Sequence, residues 1–144
     1  MKRIIQVSAM LLVALLLAGC ASTARTVDEP LVNTYWKLTH LSDAPVTVVE
    51  QQREAHFVLR VDDQRVMGST GCNRMTGSYR LEGDALSFEQ LASTRRACAD
   101  GMQTEQAFLD ALGRVAEWRI EGQQLTLVDA GGEVLARLQA VHLT

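Results

Sequence analysis

Cysteine, histidine and arginine are the residue types in this chain that could do chemistry. Cys72 lies in the stretch GSTGCNRMTG, residues 68–77, beside three glycines, an asparagine and an arginine. As a thiolate it would be a nucleophile, provided a base stood next to it. His40, His56 and His142 are the available bases, but no sequence signature places any of them beside Cys72. The competing reading makes Cys72 one half of a disulfide, with Cys98 as its partner. A metal site would need ligands at useful spacing, and the chain has neither C-x-x-C nor H-E-x-x-H. The scattered histidines therefore read as exposed strand or strand-end polar residues. GSTG is not the G-x-S-x-G elbow, and S-x-x-K, a phosphate loop and a dinucleotide fingerprint are all missing. These observations predict no catalytic residue, no metal ligand and no cofactor.

The second unusual stretch is LASTRRAC, residues 91–98. Arg95 and Arg96 read as surface charges or as a strand-end pair with a carboxylate, with an anion or partner contact as the alternative. Glu50, Glu54, Asp62 and Asp63 read as solvated loop charges. Within the first stretch, the glycines read as backbone freedom where two strands turn, and Asn73 as a residue that tolerates such turns. Arg74 has no architectural role in this reading, so any function beyond architecture is sought there.

The choice between nucleophile and disulfide depends on the compartment. Lys2 and Arg3 precede an apolar run, Ile4 to Leu17, and small residues lead into Cys20. That is the anatomy of an export signal. The run is about 14 residues where a membrane-spanning helix needs about 20. Leu17-Ala18-Gly19-Cys20 resembles a bacterial lipobox, which implies lipidation at Cys20 and removal of residues 1–19. Two or three acyl chains anchor a protein stably where one does not. Ala21 stands where an aspartate resembles an inner-membrane retention signal, so the expected location is the outer membrane, facing the periplasm. Processing leaves Cys72 and Cys98 as an even pair in an oxidising compartment, and a disulfide is the expected state. Losing Lys2 and Arg3 leaves a net charge of about −5. With no basic run and few aromatics, nucleic-acid binding is disfavoured.

The elements around these residues read mainly as strands. Period-2 apolar patterns place Trp36 and Leu38, then Phe57, Leu59 and Val61, on inner faces. DDQ turns AHFVLRV into RVMGST, and Glu82-Gly83-Asp84 turns SYRL into ALSF. Val46 to Glu54 reads as a short helical turn or a loop after Pro45. Asp100 to Arg114 reads as the one helix, capped by Asp100 with Gln103 as reciprocal partner. Met102, Glu105, Phe108, Leu109, Leu112 and Val115 give it a mostly apolar face. AEWRI, LTLVD and EVLARLQAV finish the chain, with Trp118, Ile120, Leu125, Leu127, Val134, Ala136 and Leu138 inward. The fold expected is mainly β: an antiparallel, barrel-like meander of about eight strands, with one α-helix inserted after the fifth. Closure would remove exposed edges.

Taken in order, TGCNRMTGSY, a hairpin, LASTRRAC, one helix and the L-T-L strands resemble the META domain of HslJ-like bacterial lipoproteins. The family pattern falls on Gly71, Cys72, Asn73, Arg74 and Gly77, and on Leu91, Ala92, Thr94, Ala97 and Cys98. Arg96 departs from it, since the family usually has a methionine there. The resemblance implies an antiparallel barrel-like sheet with a helix and no enzyme activity. It implies a setting of heat shock, novobiocin resistance or secretion, and a likeness to lipid-binding pilotins. The expected organisation is a signal peptide over 1–19, a lipidated N-terminus and tether over 20–30, and a META domain over 31–144. The expected function is non-enzymatic binding or stress tolerance in the cell envelope. A carrier of lipid or another small apolar ligand, and an inhibitor of a host hydrolase such as lysozyme, are the alternatives. Expected partners are a membrane, through the lipid anchor, and an unidentified protein or apolar ligand, for a chain that is a monomer.

Overall fold

The structure is a computed structural model that describes residues 26–142. The signal segment, the Cys20 lipidation site and residues 20–25 of the expected tether lie outside the described residues. The described residues form nine strands and one helix. The strands are β1 (Tyr35–Leu41), β2 (Ala44–Pro45), β3 (His56–Arg60), β4 (Arg65–Ser69), β5 (Arg74–Glu82), β6 (Ala85–Ser93), β7 (Glu117–Glu121), β8 (Gln124–Val128) and β9 (Val134–Val141). The helix α1 (Met102–Arg114) joins β6 to β7. β2 is a two-residue strand that folds back on the end of β1, where Pro45 pairs with His40. The other eight form an antiparallel meander, and β1 pairs with β9 to close it into a ring. Apart from the short β2, the helix follows the fifth strand, as the sequence predicts.

Alternation decides which face is inside. Trp36, Phe57, Leu59, Val66, Leu125, Leu127 and Leu138 point into the barrel, each no more than 2 % exposed. Val61 departs from the predicted pattern: β3 ends at Arg60, and Val61 sits in the following turn, 52 % exposed. Trp118 and Ile120 are only half-buried against the core. Trp118 instead donates its indole N–H to the Gly83 carbonyl at 3.0 Å.

The ring has one thin seam. β6 and β7 share a single ladder pair, Ala85 with Glu117, flanked by hydrogen bonds from Leu86 N–H to the Ala116 carbonyl and from Trp118 N–H to the Asp84 carbonyl. β5 and β6 pair along seven positions instead, with an irregularity between Thr76 and Ser78. Gly68 marks a close strand approach, since a Cβ there would run into the His56 carbonyl on β3.

α1 packs on β6, β9 and β1 and buries Phe108, Ala111 and Leu112 with the barrel residues. Its start differs from the sequence expectation. Gly101 occupies the N-cap in a left-handed conformation, φ 86°, and no side chain caps it. The carbonyl of Asp100 accepts a hydrogen bond from the Gln52 side chain. Glycine adopts this φ without the Cβ penalty, so the chain enters the helix one residue later than a capping Asp100 would allow. At the other end, Arg114 suits the helix dipole and pairs with Asp129 at 3.0 Å.

Asp28 and Glu29, in the segment expected to be a tether, bond to the β7–β8 turn. Glu29 N–H donates to the Gly122 carbonyl at 2.9 Å, and Gly122 N–H donates to Asp28 Oδ1 at 2.7 Å.

Candidate functional site

The segment 68–77 is mostly strand. β4 ends at Ser69 and β5 begins at Arg74, so only residues 70–73 form the turn. Gly71, at φ 107°, supplies the backbone conformation that L side chains avoid. The turn closes with a hydrogen bond from Thr70 N–H to the Asn73 carbonyl at 2.9 Å. Gly77 has a different role from the one expected: it lies within β5, where a Cβ would sit 2.9 Å from the Glu89 carbonyl.

Asn73 is the hub of the site. It is 3 % exposed, and its amide group spans three segments. Nδ2 donates to Glu105 on α1, at 2.9 Å to Oε2 and 3.0 Å to Oε1, and to the Arg96 carbonyl at 3.0 Å. Its two protons thus serve one helix carboxylate and one loop carbonyl. Oδ1 accepts from Arg96 N–H and from the Thr94 hydroxyl, both at 2.8 Å. Asn73 does not have a positive φ. Its value lies in its side-chain amide, and the turn-tolerance reading is replaced by a bridging one.

Glu105 completes the network. It sits among apolar residues on the helix face but is buried, and the Thr70 hydroxyl donates to it at 2.7 Å. A buried carboxylate without donors would cost several kcal/mol; here Thr70 and Asn73 supply them. The Cys72–Cys98 disulfide adds a covalent link between the same two segments, Cα to Cα 6.2 Å. Its sulfurs are therefore joined to each other, and Cys72 is not a free thiol.

Beside this hinge an open cleft of about 730 Å³ lies on the outer face of β3 and β4, walled by residues 51–53 and by the 94–96 segment. Arg53, Arg74 and Arg96 line it, and all three are exposed. The described residues form six ion pairs, and none includes these arginines. The expected strand-end carboxylate pair for Arg95 or Arg96 is thus not formed. Arg96 instead donates to the Cys72 carbonyl at 3.3 Å and stays at the rim. Arg74 is held by its backbone, whose N–H donates to the Thr94 hydroxyl. Ala97 is exposed, and nothing in the structure explains its place in the motif.

The inner wall is a stacked pair. The rings of Tyr35 and His56 lie 4.2 Å apart and 15° from parallel. His56 is buried, unlike the exposed histidine expected, because β3 places it on the covered part of the outer face. His56 Nδ1 sits 2.9 Å from the Glu54 carbonyl, and burial holds the imidazole pKa below its ordinary value. Tyr35 donates its hydroxyl to Glu54 Oε1 at 2.9 Å, and burial, followed by this bond, pushes the phenol pKa up. Glu54 is held below the usual carboxylate range, chiefly by its own backbone N–H and further by Tyr35. It is thus a half-buried acceptor and not the free loop charge expected.

A shallower apolar groove continues from the cleft. Met67, Gly68, Arg74 and Thr94 line both, and Met75 and Ala92 line the groove alone. Among the described residues, no group of three or more His, Cys, Asp or Glu side chains is placed to hold a metal ion.

Comparison with known proteins matches this architecture. The META domain family matches residues 29–142. The heat shock protein HslJ of Escherichia coli (strain K12) is 28 % identical over 129 residues, covering 87 % of this chain and 89 % of HslJ. A solved solution structure of a protein from Burkholderia xenovorans superposes with a TM-score of 0.64 at 27 % identity, covering 88 % of this chain and 97 % of that one. A DUF4847 family protein from Bacteroides vulgatus, at 10 % identity and a TM-score of 0.57 over 79 % of this chain and 96 % of its own, shares the fold. The family match spans both motif segments and the whole barrel, and the chain belongs to the META domain family.

Proposed function

We propose that this protein is a lipid-anchored envelope lipoprotein whose META domain acts by binding, without catalysis, in stress tolerance. The observation that carries the reading is the cleft: three arginines without carboxylate partners among the described residues, two on segments fixed by Asn73, Glu105 and the disulfide and the third beside Gln52, which is bonded to the Asp100 carbonyl. A binding site gains from such preorganisation because less ordering is paid on association. The only cysteine of the cleft wall is oxidised, and His56 and Tyr35 are engaged with Glu54. The relative named a heat shock protein supports the stress setting. The export signal and the lipobox resemblance support anchoring at the outer membrane, facing the periplasm.

The apolar-carrier alternative receives less support. The barrel interior is filled by Trp36, Phe57, Leu59 and Phe108, all fully buried. Nothing in the site favours a hydrolase inhibitor.

The test is complementation of a bacterial strain lacking this protein, under heat or novobiocin challenge. The wild-type chain should restore survival, and a folded variant carrying Arg53→Gln, Arg74→Gln and Arg96→Gln should not. Full restoration by the triple variant would remove the cleft from the function. Turnover of an ester, peptide or glycoside substrate, abolished by a His56 substitution, would overturn the non-enzymatic reading.

A further inference from the structure

The cleft and its apolar extension define a ligand more narrowly than binding alone. We infer that the site takes a phosphate group carrying an apolar substituent, with the arginines on the phosphate and the substituent lying along the exposed Met67 and Ala92. The inference rests on the reading of this cleft as the binding site.

Charge is the first argument. The chain has 17 acidic residues against 14 basic ones, so carboxylates are not scarce. Among the described residues six ion pairs form elsewhere, yet the three arginines facing one cleft have none, and no acidic residue lines it. Three like charges held together repel one another unless an anion joins them. Three guanidiniums exceed what one carboxylate neutralises and suit a phosphate, whose oxygens accept paired N–H bonds from arginine.

Rigidity is the second. Arg74 follows Asn73 directly, Arg96 is itself held by the Asn73 amide through both its backbone N–H and its carbonyl, and it is two residues from the disulfide at Cys98. Gln52, next to Arg53, is fixed to the Asp100 carbonyl at 2.9 Å. The cations are thus carried by three anchored segments.

Met67 is 50 % exposed on β4, an unusual cost for a large apolar side chain on a polar face, and it lines both cleft and groove. An apolar substituent would cover it. Soluble phosphate esters and lipid headgroups share this chemistry.

The test titrates the full chain in non-ionic detergent and follows backbone amide chemical shifts. Inorganic phosphate should shift the amides of Cys72, Arg74, Thr94 and Arg96 saturably. Hexyl phosphate should shift the same amides and those of Met67 and Ala92, with at least about tenfold tighter binding, equivalent to about two buried methylenes. Both should weaken as salt rises. Monomeric dihexanoyl phosphatidylglycerol separates the sources: binding tighter than hexyl phosphate assigns a lipid headgroup, and weaker binding assigns a soluble ester. The triple Arg→Gln variant, checked for native shifts elsewhere, should lose the response by more than tenfold. Equal binding of hexanol would overturn the proposal, as would an unchanged response in the triple variant or no saturable shift with either phosphate. Saturable binding of hexanoate with silence from both phosphates would overturn the ligand class and leave the cleft as a binding site. Silence from every probe, with full complementation by the triple variant, would remove the binding reading as well.

Discussion

At the scale of single residues, Asn73 and Glu105 matter most. Asn73→Ala would leave the buried Glu105 carboxylate with the Thr70 hydroxyl as its donor and would release the Thr94 and Arg96 segment. Urea denaturation should show a loss of about 3 kcal/mol, since a buried charged group that loses most of its donors costs about that much. Glu105→Gln keeps an acceptor and the volume, and should cost less, about 1–2 kcal/mol. A change below about 0.5 kcal/mol for Asn73→Ala, the size of an ordinary surface substitution, would mean that the network is not structural. His56 gives a pH signature. Its folded pKa is lowered by burial, so the unfolded chain takes up the proton first as pH falls. Its contribution is complete above the unfolded value, near 6.5, and is lost as pH drops through that value toward the folded one. Stability should therefore fall as pH drops below about 6.5, and His56→Phe, which keeps the stack on Tyr35, should flatten that part of the curve. Neither residue's role was legible in advance. Glu105 did leave a trace, as the one acid on an otherwise apolar helical stripe. That asks for a buried donor, but its spacing to Asn73 is set by the barrel and not by the helix.

Among the elements, the strands were the most legible, because period-2 alternation is imposed by the pleat itself. Trp36, Leu38, Phe57, Leu59, Leu125 and Leu127 all face inward as read. Strand ends were not: β5 begins at Arg74 and β6 runs to Ser93, so both motif segments are half strand. Glycine in a motif reads as a turn, and a glycine needed for close strand approach, as at Gly68 and Gly77, gives the same letter. The helix position was legible, its cap was not, because Asp100 satisfies a capping pattern that Gly101 fills by backbone conformation alone. The thin β6–β7 seam predicts uneven protection. Hydrogen exchange should find the Leu86 and Trp118 amides faster than the β5–β6 ladder by tenfold or more, a gap of about 1.4 kcal/mol in local opening. Equal protection would show that the seam is as firm as the rest. Phe108→Ala on α1 should cost about 3–5 kcal/mol in a melt, as for a large ring removed from a packed core.

For the molecule as a whole, the disulfide and ring closure set stability. Cys72 and Cys98 are 26 residues apart, a loop whose closure is worth about 3.5 kcal/mol in the chain-entropy model. Reduction should lower stability by roughly that amount and loosen the 94–98 rim, and the paired Cys72→Ser, Cys98→Ser variant should behave the same way. An unchanged urea midpoint after reduction would contradict this. The pairing was legible because Cys72 and Cys98 are the two cysteines left once Cys20 is set aside as the expected lipidation site, whereas the arginine cleft was not. Arg53, Arg74 and Arg96 come from three separate stretches, and only the folded barrel shows that they line one cleft.

The pairing of β1 with β9 also governs the order of events during synthesis. The ribosome delivers Tyr35 early and Val141, its partner across the ring, about a hundred residues later. β3 and β2 pair with the other edge of β1, at Trp36, Lys37, His40 and Leu41, so the edge that faces β9 has to wait for the C-terminal hairpin. Non-local pairings of this kind make folding slow. A chain stalled before residue 134 therefore has no smaller barrel to settle into. It holds a half-paired, tryptophan-bearing strand that invites the edge of another chain.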